Sequence, residues 1–455
     1  MALTRVCSAW RSAVLSSPPL WATLYLRVKS IDHDSIFESV RTVQNWFLRA
    51  SGAPKKFCLY VDCPIPSGTP SYTFQLFLKA INPSLVGLTC LAIGSRNWAR
   101  LMMQFVDIEW DVSQLQRLEI LGQYSSAENP YLAEEMTKLA SVAERITLFK
   151  NAKHLTTMVS AQQTRAFGPS FAFLPRGQLT DISIQEGFIH HTALLDTLKQ
   201  FPQLRKARFT CSNLFLTAAP TAFVHENLAS LLLYVAKSNA REFFTFFSSN
   251  CILLNLKNLR ISIQKMPKVT QLQNQIYNVT PLPSLEYLDL TGDIRIPTDL
   301  LLSLLRGVPN LQGLSVDVDV SDGEGRSTDV NKIFASMTIK DGSYDMLPCL
   351  TQCSFFGVTD APGPKLLLDA NVIGLCINSR FASPLCQPLK EVALGGRFRF
   401  LVNLQDEVAR LSRGRNQVKI LVSYSDDIFG YSALDALDFE VPFSMEYTQH
   451  PHHQF

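Results

Sequence analysis

The chain has 455 residues, 47% of them hydrophobic and 18% charged, with a net charge of +3. That composition excludes a disordered chain, and the length exceeds what one ordinary globular core holds. The near balance of charge argues against a nucleic-acid partner, because the basic clusters (Arg397 with Arg399; Arg410, Arg413 and Arg415) are too short to form a track and read as solvated surface.

In chain order, the opening segment places Leu3, Val6, Trp10 and Val14 on one helical stripe, and Pro18 and Pro19 stop that helix. "LWATLYLRV" then alternates through Leu20, Leu24, Leu26 and Val28 as an extended segment. A second helix carries Ile36, Val40, Val43 and Phe47 on its apolar face. Ser35 with Glu38 predicts a capping box at its start, and Gly52 a left-handed cap at its end. "KFCLYVD" follows as a strand. No stretch reaches the ~18 apolar residues of a membrane helix, and no apolar run of a signal peptide follows the N-terminus, so no membrane partner is expected. The ten cysteines form no zinc-spaced set and most of them read as buried free thiols, which fits a cytoplasmic or nuclear protein.

From about residue 85 the chain repeats the unit L-x-x-L-x-L with conservative replacements. Units start at Leu88, Leu115, Ala143, Leu179, Leu204, Leu228, Leu256, Leu285, Leu311, Leu350 and Leu389. Most intervals lie near the ~20–29 residues of a leucine-rich repeat. Just before several strands stands the punctuation "FPQL" at 201, "LPSL" at 282, "VPNL" at 308 and "LPCL" at 347, in which proline is expected to hold an extended connection. Between units lie helical stretches. The clearest runs from Thr298, a cap, through inward Leu301, Leu304 and Leu305 to Gly307. Parallel strands need crossovers, and no unit can bury its apolar side alone, so neighbours must stack. The predicted fold is α/β: an irregular leucine-rich-repeat-like solenoid of parallel strands plus helices. It is irregular because the repeat's ladder Asn or Cys is replaced, by Arg96, Gln123, Asp319 and others.

No motif for catalysis, nucleotide binding or a metal is present, so no catalytic residue, cofactor or metal ligand is expected. "DVDVSDGEG" from Asp317 reads as an acidic surface insertion, since Asp322 and Thr328 hold the places where a calcium loop needs Gly and Glu. His190 and His191 read as a polar turn, His450, His452 and His453 as tail, and "REFFTFFSSN" from Arg241 as a buried helix face.

"VCSAWRSAVLSSPPLWATLYL" resembles the closing part of the F-box in the fungal, mushroom-type F-box proteins, through Val6, Cys7, Trp10, Arg11, Ser17, Pro19, Leu20 and Trp21. "WFLRASGAPKKFCLYVD" is similar to that family's next segment, through Trp46, Leu48, Arg49, Ser51, Gly52 and Pro54. The family's opening L-P-x-E-[LI] helix has no counterpart, so the resemblance implies a partial F-box over residues 1–28. A connecting helix–strand segment (29–84), the solenoid (85–425) and a tail (426–455) follow. It further implies a non-catalytic substrate-receptor adaptor of a Skp-cullin-F-box ubiquitin ligase. Val6, Cys7, Trp10, Arg11, Pro19, Leu20 and Trp21 would meet a Skp-type linker, and the repeats would hold a protein substrate. The alternative is a free-standing leucine-rich-repeat scaffold for protein–protein interaction without ligase docking.

Overall fold

The computed structural model describes residues 7–66, 70–96, 98–122, 137–139, 141–161, 173–186, 189–215, 223–237, 251–265, 282–292, 296, 298–319, 328–340, 346–358, 367–396, 399–400, 406, 410 and 418–422. They fall into two compact units. One runs to Ile189 and includes Gln200–Leu204, and the other holds His190–Lys199 and continues from Arg205.

In the first unit, β1 (Thr23–Val28), β2 (Lys55–Val61), β3 (Leu88–Ser95), β4 (Arg117–Gly122), β5 (Thr157–Ala161) and β6 (Asp181–Glu186) pair in parallel in chain order. The sheet thus takes in the two strands that precede Leu88. The crossovers carry α2 (His33–Ala50), α3 (Tyr72–Ile81) and α4 (Trp98–Met103), and α1 (Ser8–Leu15) stands ahead of β1. Alternate strand residues point inward, and helix and loop side chains meet them there: Phe47 of α2 packs edge-on against Phe57 of β2, with ring centroids 6.0 Å apart. Phe105, Phe149 and Phe173 extend the same core along the stack.

In the second unit, β8 (Lys206–Phe215), β10 (Ser230–Lys237), β12 (Asn258–Lys265), β13 (Tyr287–Gly292), β14 (Gly313–Asp319), β15 (Gln352–Val358), β17 (Glu391–Gly396) and β19 (Lys419–Val422) form the parallel sheet in that order. Two short pairs accompany it, β9 (Phe223–Val224) with β11 (Cys251–Ile252), and β16 (Leu367–Leu368) with β18 (Arg399–Phe400). Among its described residues the helices are α5 (His191–Gln200), α6 (Thr298–Arg306), α7 (Val330–Met337) and α8 (Ala370–Ala382). Leu231, Leu259, Leu288 and Leu314 align in register and are all buried. Each unit is therefore a stack of leucine-rich-repeat-like modules, strand plus crossover, as predicted.

The punctuation at 201, 282, 308 and 347 is in each case a turn, not an extended connection. Leu204 N–H donates to Phe201 O at 3.1 Å, Leu285 to Leu282 at 3.1 Å, Leu311 to Val308 at 3.2 Å and Leu350 to Leu347 at 3.2 Å. Proline occupies the second position of each, where its fixed φ suits a β-turn. The apolar residues at both ends are buried, so each turn is a hydrophobic plug. Ala152/Leu155 and Leu253/Leu256 make the same turn without proline.

Four further expectations are corrected. Ala143–Arg145 is a short 3-10 turn. The strand of that repeat lies further on, where Leu155, Met158 and Ser160 take the L-x-x-L-x-L places and the serine blurs the apolar pattern. The start of α2 is capped by Asp32, whose carboxylate accepts from Ser35 N–H at 2.9 Å, rather than by the Ser35–Glu38 box. At its end Ser51, not Gly52, takes the positive φ of 49°. Where a polar turn was expected, His190 ends the two-residue strand β7 (Ile189–His190) and His191 opens α5. "REFFTFFSSN", the C-terminal histidines, Arg413 and Arg415 lie outside the described residues.

Close approach of neighbouring repeats shows at three glycines. Gly292 has φ +88°, and a Cβ there would lie 2.1 Å from Ile263 O. The Tyr60 ring covers Gly94 and the Tyr287 ring covers Gly313, each leaving no room for a Cβ. Polar joints also link successive helix starts. Thr298 opens α6 and its Oγ1 accepts from Asp329 N–H at 2.7 Å, and Asn331 Oδ1 accepts from Asp369 N–H at 2.8 Å.

Candidate binding surfaces

The first surface is built by α1 and the 3-10 turn Pro18–Trp21. Cys7 caps α1, its Sγ accepting from Trp10 N–H at 3.4 Å. Val14 is the only buried residue of α1; Trp10 is 55% exposed, and Leu15 and Leu20 are also exposed. Cys7, Arg11 and Pro19 also face solvent. Trp21, expected on the partner-facing surface, is instead 3% exposed. Its Nε1 donates to Val14 O at 2.8 Å, its ring meets Trp46 edge-on at 4.8 Å, and the Arg49 guanidinium sits 4.7 Å above it. Trp21 is thus the anchor that holds α1 and α2 together through π and cation–π contacts. Val6 lies outside the described residues. Leu15 is exposed as well, although the sequence did not single it out. Its signal was its offset from the Val14 stripe.

The second surface is the face of each sheet turned away from the core. In the first unit it carries Tyr25 and Arg27 of β1, Cys58 and Tyr60 of β2, Ala92 and Gly94 of β3, and Glu119 of β4, aligned by register. Glu119 is fully buried and paired with Arg117 Nε at 2.8 Å. Burial pushes the Tyr25 phenol up to about 12.

In the second unit Arg208, Leu232, Arg260, Asp289 and Ser315 form one row, and Thr210, Tyr234, Ser262 and Thr291 the next. Arg260 Nε pairs with Asp289 Oδ2 at 3.1 Å. Asp317 stands on β14 itself, not in a surface insertion, and accepts from Gly292 N–H at 2.5 Å. Burial pushes its carboxyl up to about 7; the Gly292 hydrogen bond and Arg260 oppose that rise, and Asp289 adds to it. Burial, and then Arg260, lower the Arg208 guanidinium from its ordinary value. The hydroxyls of Thr210 and Thr291 are buried and have no hydrogen-bond partner among the described residues. Such a face offers charged and hydroxyl groups on rigid strands, a chemistry suited to recognition. Among the described residues no group of three or more His, Cys, Asp or Glu could hold a metal, and no helix is long and apolar enough to cross a membrane.

No protein-family model matches the chain, and no curated protein matches it. Among solved structures, it is similar to a TLR13–ssRNA13 complex, at 14% identity over 91% of this chain and 53% of that one, with a TM-score of 0.38. It is also similar to a Leptospira interrogans LRR protein, at 13% identity over 90% of this chain and 97% of that one, with a TM-score of 0.28. The chain spans about half the length of the first of these.

Proposed function

We propose that the protein is a non-catalytic binding scaffold, and more narrowly a substrate-receptor adaptor that docks through α1 onto a Skp-type linker of a cullin-containing ubiquitin ligase. Its repeats would hold a protein substrate along the sheet faces turned away from the core, in the cytoplasm or nucleus. The observation that carries this reading is the attitude of α1. An eight-residue helix is fastened by one buried valine and the Trp21 anchor, while Trp10 and Leu15 of the helix and Leu20 of the following turn are each exposed to solvent. Large apolar side chains left exposed on a lightly fastened helical segment are what a protein interface buries. The likeness of residues 5–54 to the F-box region supports the choice of partner. Such an adaptor acts by raising the effective concentration of its substrate near the transferring enzyme.

The test is co-precipitation of the full chain with a purified Skp-type linker. Recovery of the linker by the parent chain, and its loss in a Trp10→Ala/Leu20→Ala double variant that keeps the parent's melting temperature, is the expected result. No recovery by the parent chain sinks the adaptor reading in favour of a free-standing scaffold.

A further inference from the structure

A cluster unrelated to α1 lies at the C-terminal ends of β1 to β3. Arg27 comes from β1, Tyr60 and the following Asp62 from β2, and Arg96 follows β3. Adjacent strands are ~4.8 Å apart, so the two arginines reach Asp62 from opposite sides. Asp62 Oδ2 accepts from Arg27 Nε at 3.1 Å and also from Arg27 Nη2, and Oδ1 accepts from Arg96 Nε at 3.0 Å. Asp62 is fixed in place by its own N–H, which donates to Val28 O at 2.8 Å. Two guanidiniums against one carboxylate leave a surplus positive charge. Arg27 Nη1 and the two terminal nitrogens of Arg96 have no partner among the described residues, and both side chains are more than half exposed.

The fourth member is Tyr60. Its hydroxyl is buried and has no hydrogen-bond partner among the described residues, although the residue is only 8% exposed. A buried donor left unmatched in a native fold calls for an explanation. Its ring is pinned over Gly94, which stands two residues before Arg96, and in the strand register Tyr60 is the partner of Arg27, so the residue sits between the two arginines; burial raises its phenol, Asp62 adds to that rise, and Arg96 and Arg27 oppose it.

We propose that Arg27, Tyr60 and Arg96 form a binding site for a tetrahedral oxyanion of the phosphate class, with Asp62 as the residue that positions the two guanidiniums. Arginine N–H groups match phosphate oxygens in geometry and stay charged at every relevant pH. Donors arriving from three strands suit an anion with oxygens on several sides. A single surplus charge, on a chain of net charge +3, does not suit a polynucleotide, which needs many phosphates neutralised along a track. The site is independent of whether α1 docks on any partner.

The experiment titrates the full chain with inorganic phosphate, chloride being adjusted to hold ionic strength constant, and follows the melting temperature and the phosphorus NMR line width. A saturable rise in melting temperature is expected. Arg96→Gln should raise the half-saturating phosphate concentration roughly tenfold, the worth of one hydrogen bond to a charged group. Arg96→Gln also loosens Asp62, so Tyr60→Phe is the second variant. It removes an oxygen that has no partner, leaves the melting temperature in chloride unchanged, and weakens phosphate binding several-fold. Phosphate binding unaltered in both variants, or no saturable effect in the parent chain, overturns the proposal. A phosphoserine peptide then separates the sources. Tighter binding than inorganic phosphate assigns the anion to a protein partner, and equal binding assigns it to the free ion; either supports the site.

Discussion

Asp317 shows what the stack does to a single residue. A carboxylic acid beside water keeps its charge near neutrality, but on β14 burial outweighs the Gly292 N–H and Arg260, and the group titrates near pH 7. The folded protein therefore holds a proton that the unfolded chain has released above its ordinary value of 3.8. The stability this confers is complete below about pH 4 and is lost as pH rises through 7. Asp317→Asn keeps an oxygen for Gly292 and removes the charge. It should leave stability unchanged near pH 4 and raise it by about 2 kcal/mol at pH 8, a figure reduced for the partial exposure of the side chain. Thermal melts of both chains across that range check it, and parallel curves would refute it. At this scale the sequence is a partial guide. Asp32, Ser35 and Glu38 all fit the start of a helix, and which one caps α2 depends on where the chain leaves β1. Nothing in "DVDVSDGEG" announces that its first aspartate is half-buried on a strand.

Among elements, α1 depends on one tryptophan and exposes another. Trp21→Ala removes the hydrogen bond to Val14 O, the contact with Trp46 and the seat of Arg49. It should destabilise the first unit by about 3 kcal/mol and release the amides of α1 to hydrogen exchange. Trp10→Ala, at an exposed position, should stay within about 0.5 kcal/mol. Equal losses in chemical denaturation would refute the distinction. The F-box-like string names both tryptophans alike, because it records residue type and spacing but not which one the packing of α2 covers. The turns before the strands were legible as punctuation, since proline and leucine recur at fixed offsets. Their conformation was not, because proline suits an extended link as well as the second place of a turn. The repeat misplaced to Ala143 failed for a related reason: Ala143, Ile146 and Leu148 are apolar at strand spacing and are buried, but in a turn.

For the whole molecule, each repeat touches chiefly its neighbours in sequence order. Leu288→Ala, deep in β13, should cost about 3 kcal/mol, and its effect on amide protection should concentrate in β12, β13 and β14. Exchange accelerated evenly across both units would contradict that nearest-neighbour picture. The stacking of most strands from Leu88 onward was legible from the leucine period, whereas β1 and β2 lie before it. The oxyanion cluster was not: Arg27, Asp62 and Arg96 stand far apart in the chain, and only the register of three strands brings them together.

The joints between helix starts bear on how such a chain can change its length over generations. Thr298 serves Asp329, and Asn331 serves Asp369, so in these consecutive modules each carries half of the clasp that its successor completes. A deletion that removes part of a module strands one half of a clasp, whereas loss or duplication of a whole module can reconnect it. Tolerated insertions therefore belong in the segments after the strands, and descendants of this gene should differ by entire modules.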